Sequence, residues 1–205
     1  MSSGDYKAVN KMHEFSFLIY NLVIFPIIAG LLVVNKDFVS FFLGKDFQAA
    51  NIAIAIMVFR MFFIGWTNIM GIQILIPHNK HREFMLSTTI PAFVSVGLNL
   101  LLIPPFGFIG ASIVSVLTEA LVWVIQLNFA RKFLKDVSIL PAMSKIIIAS
   151  VVMYLGLFVF RTFVQFKPML NVAVDGFVGA IIYLILIVVL RVLDVRDLKQ
   201  QLMKN

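Results

Sequence analysis

Six stretches of apolar residues, separated by short polar connections, constrain this sequence more than any other feature. They lie at residues 15–34, 49–76, 84–103, 108–130, 143–160 and 170–190. Each approaches or exceeds the roughly 20 residues that an α-helix needs to cross a bilayer. Backbone polar groups in lipid must be bonded within the protein, so these stretches predict helices. We therefore expect an all-α, polytopic membrane protein with six transmembrane helices.

The composition supports this interpretation and excludes several others. Hydrophobic residues make up 61% of the chain and charged residues only 13%, against about 25% charged in an ordinary soluble domain. The chain has no cysteine, which excludes disulfides, thiolate metal clusters and a thiol nucleophile. The net charge is +7, but the basic residues are spread between the apolar stretches and accompany no nucleic-acid-binding motif. We expect no nucleic-acid partner.

Basic residues are distributed unevenly between the polar connections, and this predicts the orientation. Of the 17 Lys and Arg residues, 12 lie in one alternating set of connections, 4 lie in the other set, and Arg60 lies inside a span. The positive-inside rule places the richer set, and with it both termini, in the cytoplasm. The predicted cytoplasmic segments are 1–14, the turn at 77–82, 131–142 and 192–205. Segment 131–142 links a four-helix unit at 15–130 to two helices at 143–191.

Three consecutive spans each show small and polar residues recurring at helical spacing. The second span has Ala49, Ala53, Thr67 and Gly71 on the side of Arg60, the third has Thr88, Ala92, Ser95 and Asn99, and the fourth has Ser112, Ser115, Glu119, Trp123, Gln126 and Ala130. Such stripes occur where helices pack closely, and also where they line a polar cavity. Both interpretations remain open at this point.

Arg60 and Glu119 are ionisable residues near the middle of their spans. A charge at the centre of a membrane helix costs at least about 2.5–3.5 kcal/mol, so each needs a partner or water. They could form a purely structural ion pair, or they could belong to a substrate or ion pathway. By contrast, Arg161 and Asp175 fall near span ends, where we expect contact with water at the membrane interface.

The last two spans are apolar nearly all round, which predicts that both helices are peripheral. No signature motif of a hydrolase or nucleotide-dependent enzyme occurs, and the expectation is that the protein is not an enzyme. His78 and His81 lack spacing partners for a metal site. Neither a metal nor a cofactor is expected.

Several ordered motifs resemble a known family of transporters. They are Pro26-x3-Gly30, Phe42-Leu-Gly-Lys-Asp-Phe47, Leu75-x-Pro77-x2-Lys80, Asn99-Leu-x2-Ile-Pro104, Phe106-Gly-x2-Gly-Ala-x-Ile113 and Thr118-Glu119. Together they resemble the carboxy-terminal part of Wzx-type bacterial polysaccharide flippases, in the multidrug/oligosaccharidyl-lipid/polysaccharide exporter superfamily. The resemblance extends over nearly the whole chain and is clearest at residues 20–130.

This resemblance implies a flippase that moves undecaprenyl-diphosphate-linked oligosaccharide repeat units across the cytoplasmic membrane of a bacterium, for surface polysaccharide synthesis. Such carriers have two six-helix lobes that alternate access to a central site. The four patterned spans match the last four helices of the second lobe, and the two apolar spans match an extra carboxy-terminal pair. The chain is therefore expected to be a fragment or subunit whose partners are membrane lipid, the lipid-linked oligosaccharide and a missing amino-terminal lobe.

Helix geometry, rather than the family motifs, suggests roles for individual residues. Arg60 would hold the anionic diphosphate or an acidic sugar, since a guanidinium forms several charge-assisted bonds with such groups. Glu119 would carry a coupling proton or sodium ion. The sugar contacts would come from Asn99, Ser112, Ser115, Trp123 and Gln126. A drug or small-molecule exporter of the same superfamily, or a membrane scaffold without transport activity, remains an alternative.

The orientation can be tested because the natural chain has no cysteine. We expect single cysteines in Lys45→Cys and Lys167→Cys variants to react with a membrane-impermeant thiol reagent in intact cells. Cysteines in Lys80→Cys and Lys135→Cys variants should react only after the membrane is opened. Labelling in the opposite sense would reverse the predicted orientation.

Overall fold

The computed structural model describes residues 3–164 and 166–192 of the chain. These residues form α1 (Ser3–Phe42), α2 (Ala50–Met57), α3 (Arg60–Asn68), a π-helical segment (Ile69–Leu75), α4 (His81–Ala130), α5 (Leu140–Phe163) and α6 (Pro168–Val189), with a single 3-10 turn at Lys45–Phe47. The all-α prediction is confirmed for this part of the chain. Most of the predicted tail at 192–205, with its three basic residues, lies outside the described residues, as do residues 1–2 and Gln165.

Within the described residues, five helical stretches are long and apolar enough to cross a membrane, against the six that the sequence predicted. The difference lies in α4, which joins the third and fourth predicted spans into one element of 50 residues. A straight helix of that length would measure about 75 Å, more than twice the hydrocarbon thickness. Instead, α4 bends at Gly107, whose φ of 55° and ψ of −133° are not helical.

The bend is sharp enough to bring Gly110 back against the first half of α4. A Cβ on Gly110 would lie only 2.2 Å from the carbonyl oxygen of Leu102, although residues eight apart in a straight helix are about 12 Å apart along the axis. Gly107 permits the positive φ, and Gly110 permits the close approach. The turn predicted around residues 104–107 is thus present, and it divides α4 into two apolar halves.

The first helix is longer than its predicted span. It continues through Asn35, Lys36 and Asp37 and ends at Phe42. Gly44, two residues later, has a φ of 93°, which glycine adopts without steric cost. At 40 residues, it extends about 60 Å. All the other main helices except α4 pack extensively along it.

Pro26 interrupts the hydrogen bonding of α1 and determines where α6 binds. Proline has no N–H, so the carbonyl of Leu22, four residues earlier, lacks its usual helical donor. The Tyr183 hydroxyl of α6 donates a hydrogen bond to this carbonyl at 2.8 Å. Tyr183 is only 6% exposed, and the bond therefore satisfies an acceptor in an environment where an unpaired carbonyl is costly.

The second predicted span is not a single regular helix. It breaks between Met57 and Arg60 and continues after Asn68 as a π-helical segment, in which the Ile76 N–H bonds the Gly71 carbonyl five residues back. A π-helical segment shifts the angular position of everything beyond it. Gly71 lies inside this segment and packs against Phe84 and Gln126, the second of which is on the same stripe of the fourth span as Glu119.

Two groups of helices meet along α1. On one side, α5 and α6 bury a core with α1 that includes Ala29, Ile146 and Leu157. On the other side, α3, the π-helical segment and the second half of α4 surround Phe17 and Met70. The α5–α6 pair joins the rest of the bundle mainly through α1.

The bond from Tyr183 to Leu22 gives a testable thermodynamic cycle. We expect Tyr183→Phe to lower the free energy of unfolding by about 1 kcal/mol. In a Pro26→Ala background the loss should be smaller, because the new N–H satisfies the Leu22 carbonyl. Denaturation of the purified chain in detergent micelles measures both effects, with Tyr154→Phe as the matched control. An equal loss in the two backgrounds would contradict this account.

Candidate functional site

Arg60 and Glu119 form an ion pair between the second and fourth predicted spans. The Nη2 atom of Arg60 lies 2.8 Å from Glu119 Oε1, and Nε lies 3.3 Å from the same oxygen. The side chains are 36% and 19% exposed, respectively. The structure thus brings together the two charges that the sequence singled out, although they are 59 residues apart.

The pairing depends on the direction and length of the two helical stretches. Arg60 begins α3 after the break in the second span, and Glu119 lies in the second half of α4, beyond the bend at Gly107. Because α4 turns back at Gly107, its second half runs in the same direction as α2 and α3. Each charge is near the middle of its apolar stretch, so the two lie at similar depth.

The geometry of this pair leaves bonding capacity on both partners. Both bonds from Arg60 go to Oε1, so Glu119 Oε2 and Arg60 Nη1 form no hydrogen bond within the described part of the chain. A bidentate fork would have used two nitrogens and two oxygens. Arg60 is also more than a third exposed. An anion could therefore reach the guanidinium, or a cation the carboxylate, while the pair stays intact.

Ser112 and Gln126 lie on the same half of α4 as Glu119, and both are buried. Ser112 is 5% exposed, and its hydroxyl donates to the Phe108 carbonyl at 2.8 Å. Gln126 is 1% exposed, and its Oε1 has no hydrogen-bond donor among the described residues. Because Ser112 and Gln126 are near the two ends of the polar stripe in the fourth span, their burial shows that the stripe packs against other residues at both ends.

Trp123 belongs to a cluster of aromatic rings near Glu119. Its ring centroid is 5.8 Å from that of Phe63, 6.2 Å from that of Trp66 and 6.3 Å from that of Phe62. Trp66 is anchored in turn to α1, since its Nε1 donates to Asn21 Oδ1 at 3.0 Å. The Trp123 ring is half-buried and packs against these rings. Its Nε1 has no acceptor among the described residues.

Asn99 and Ser115, the other two residues in the predicted sugar-binding set, are half-buried. Neither forms a side-chain hydrogen bond within the described residues. Asn99 lies on the first half of α4, most of whose residues are exposed, including Phe93, Leu100 and Leu101. This half of α4 presents a broad unpacked surface, and the structure does not place Asn99 beside the ion pair.

A second charged network was not anticipated from the sequence. The guanidinium of Arg161 donates from Nε to Asp175 Oδ2 at 2.6 Å, from Nη2 to Asp37 Oδ2 at 2.6 Å and from Nη1 to the Val33 carbonyl at 3.0 Å. Asn171 adds a bond to Asp37 at 3.3 Å. The network joins the end of α1 to α5 and α6.

The expectation that Asp175 contacts water is wrong, because this residue is only 2% exposed. Asp175 is seven residues inside α6, and the α1 helix continues far enough to cover it. The signal that could have revealed the network was the presence of Asp37, Arg161 and Asp175 near the predicted outer ends of the first, fifth and sixth spans. Within the described residues, no group of acidic or histidine side chains could hold a metal ion.

An all-helical bundle of long apolar helices with an ion pair inside it is the architecture of a multi-pass membrane protein. The chain is 25% identical, over 189 residues, to the probable low-salt glycan biosynthesis flippase Agl15 of Haloferax volcanii. That similarity covers 88% of this chain but 39% of the relative, and it supports a flippase-type membrane protein. No family model matches the chain, and no solved structure matches it.

Arg161 should be essential for stability. Removing it in Arg161→Met leaves two carboxylates facing each other in a largely buried site, and we expect a loss of about 3 kcal/mol in the free energy of unfolding. Lys36→Met, at the exposed position next to Asp37 in α1, is the matched control and should change stability little. Denaturant unfolding in micelles measures both variants. A stable Arg161→Met protein would show that the network contributes little.

Proposed function

We propose that this chain is part of a Wzx-type flippase that moves lipid-linked oligosaccharide precursors across a bacterial cytoplasmic membrane for surface polysaccharide synthesis. The observation that carries the proposal is the half-exposed Arg60–Glu119 pair within the apolar bundle. The similarity to a glycan biosynthesis flippase agrees with it. In this proposal the protein is a transporter and not an enzyme.

The chemistry of the pair suits a substrate with both charge and hydroxyl groups. A lipid-linked sugar carries an anionic phosphate or diphosphate, and the open Nη1 of Arg60 can donate to its oxygens. Glu119, with Oε2 open, is the proposed carrier of the coupling proton or sodium ion. When Arg60 exchanges the Glu119 carboxylate for a substrate phosphate, Glu119 loses its partner. Substrate binding is thereby linked to a change at Glu119.

The remaining predicted contacts fall into two groups in this proposal. Ser112, Ser115 and Gln126 lie on the same half of α4 as Glu119 and are proposed to bind sugar hydroxyls when the bundle opens. Trp123 is proposed to offer its ring to a sugar face after the aromatic cluster rearranges. Asn99 is on the unpacked half of α4, where a further group of helices would be needed to close a cavity.

The unpacked surface of α4 is consistent with a larger carrier. This chain spans 39% of the relative that it matches, and alternating access requires two bundles that rock about a central site. We propose that an amino-terminal lobe, in the same polypeptide or a separate one, packs near Arg60 and the exposed half of α4. Both termini of the present chain are proposed to be cytoplasmic.

A double substitution distinguishes the proposed site from a purely structural ion pair. In cells lacking the natural copy of this gene, we expect Arg60→Met together with Glu119→Leu to accumulate normally but to restore no surface glycan. If the pair were only structural, replacing both charges by apolar residues would be tolerated. Normal surface glycan in cells with a well-accumulated double variant would therefore reject the proposed site.

Two further variants serve as comparisons in the same cells. Arg60→Lys keeps the charge but loses the planar fork, so we expect impaired transport. Lys80→Met removes a basic residue of the connection before α4, where Lys80 pairs with Glu83. This position is away from the proposed site, and the substitution should leave transport unchanged. Protein abundance in the membrane fraction is measured for each variant.

A further inference from the structure

A cavity of two adjoining chambers, polar at one end, lies between α1 and α5, and neither Arg60 nor Glu119 lines it. Its first chamber has a volume of about 840 Å³ and is lined by residues of α1, α2, α4 and α5, including Asn35, Asn51 and Arg161. Its second chamber, of about 570 Å³, lies between α1, α3 and α5. Each volume is within the range of small-molecule binding sites.

The two chambers share three lining residues and are therefore adjacent. These are Leu32 of α1, Phe59 before α3 and Tyr154 of α5. Apart from Ser150 and Tyr154, the second chamber is lined by apolar side chains, and the Ser150 hydroxyl is already bonded to the Ile146 carbonyl. The cavity is thus amphipathic along its length, with polar groups collected at one end.

Two amide oxygens at the polar end have no donor in the part of the chain that the structure describes. They are Asn35 Oδ1 and Asn51 Oδ1. The orientation of the Asn35 amide is determined by its own bond, since Nδ2 donates to the Asn51 carbonyl at 2.6 Å. Asn35 is only 7% exposed. Both oxygens have almost no accessible surface, so a ligand reaches them only when the side chains turn toward the chamber. A buried acceptor is costly without a donor, and a ligand hydroxyl would relieve that cost.

An anionic headgroup fits the polar end less well. All three nitrogens of Arg161 are engaged with Asp175, Asp37 and the Val33 carbonyl. The remaining cation in the lining is Lys36, whose side chain is exposed. The two carboxylates that face Arg161 also repel a phosphate. These charges therefore favour a neutral, hydroxyl-bearing headgroup over an anionic one. The aromatic side chains of Phe59, Tyr154 and Phe158 are available to contact a sugar ring.

We propose that this cavity is a glycolipid-binding site, in which Asn35 and Asn51 accept hydrogen bonds from sugar hydroxyls and the second chamber holds a hydrocarbon chain. Neither Arg60 nor Glu119 lines this site, and the proposal does not depend on transport. It assigns to α1, α2 and α5 a binding role that the polar stripes of the sequence did not indicate.

The test uses the full chain in phosphatidylcholine nanodiscs, with native mass spectrometry to measure bound lipid. The probes are monoglucosyl diacylglycerol, diacylglycerol and phosphatidylglycerol with the same acyl chains. We expect the glucosyl lipid to bind more tightly than the other two. Asn35→Leu should weaken its binding about tenfold, as expected for the loss of a buried hydrogen bond to a ligand. Asn68→Leu, at an exposed asparagine outside both chambers, is the matched control.

A second variant keeps the test informative if Asn35→Leu folds poorly. Ala55 lines the first chamber, and Ala55→Trp should fill it and reduce binding of the glucosyl lipid without removing a polar group. Equal binding of glucosyl lipid and diacylglycerol, tighter binding of phosphatidylglycerol, or undiminished binding by folded Ala55→Trp would each overturn the proposal. Retained binding by the Arg60→Met, Glu119→Leu double variant would show that this site is independent of the proposed transport site.

Discussion

The need to satisfy polar groups away from water organises this bundle, and α1 is where most of them meet. Association of helices in lipid gains little from the hydrophobic effect, so specific hydrogen bonds and close packing determine which faces come together. The Leu22 carbonyl, freed by Pro26, receives Tyr183 of α6. The adjacent Asn21 accepts a hydrogen bond from Trp66 of α3, and near the end of α1 Asp37 accepts one from Arg161 of α5. Each bond recruits a different helix.

The two charged networks differ in how completely their groups are used. Arg161 donates from all three nitrogens, and its partner Asp175 is almost fully buried. Such a saturated network stabilises one arrangement of α1, α5 and α6. Arg60 directs both of its bonds to one oxygen of Glu119 and remains partly exposed. The unsaturated pair is therefore the better candidate for a group that exchanges partners during a transport cycle, and the saturated one is the better candidate for a structural anchor.

Periodicity predicted some of these contacts and missed others for identifiable reasons. Arg60 and Glu119 stood out because a charge in the middle of a span requires a partner. The regular count did not show the break between Met57 and Arg60 or the π-helical segment after Asn68, because neither leaves a clear signal in the hydropathy of a single sequence. Asp175 appeared close enough to a span end to reach water, since nothing in the sequence showed that α1 continues to Phe42 and covers it.

The sequence by itself determined the all-α class, the approximate limits of the apolar helices and the need of Arg60 and Glu119 for a partner or water. These follow from local properties, namely hydrophobic length and the cost of an isolated charge in lipid. Only the tertiary structure decided that α4 turns back at Gly107 to bring the pair together, and that Asn35 and Asn51 converge on one cavity. Those outcomes depend on residues far apart in the chain, whose contacts arise from how whole helices pack and not from any pattern within one of them.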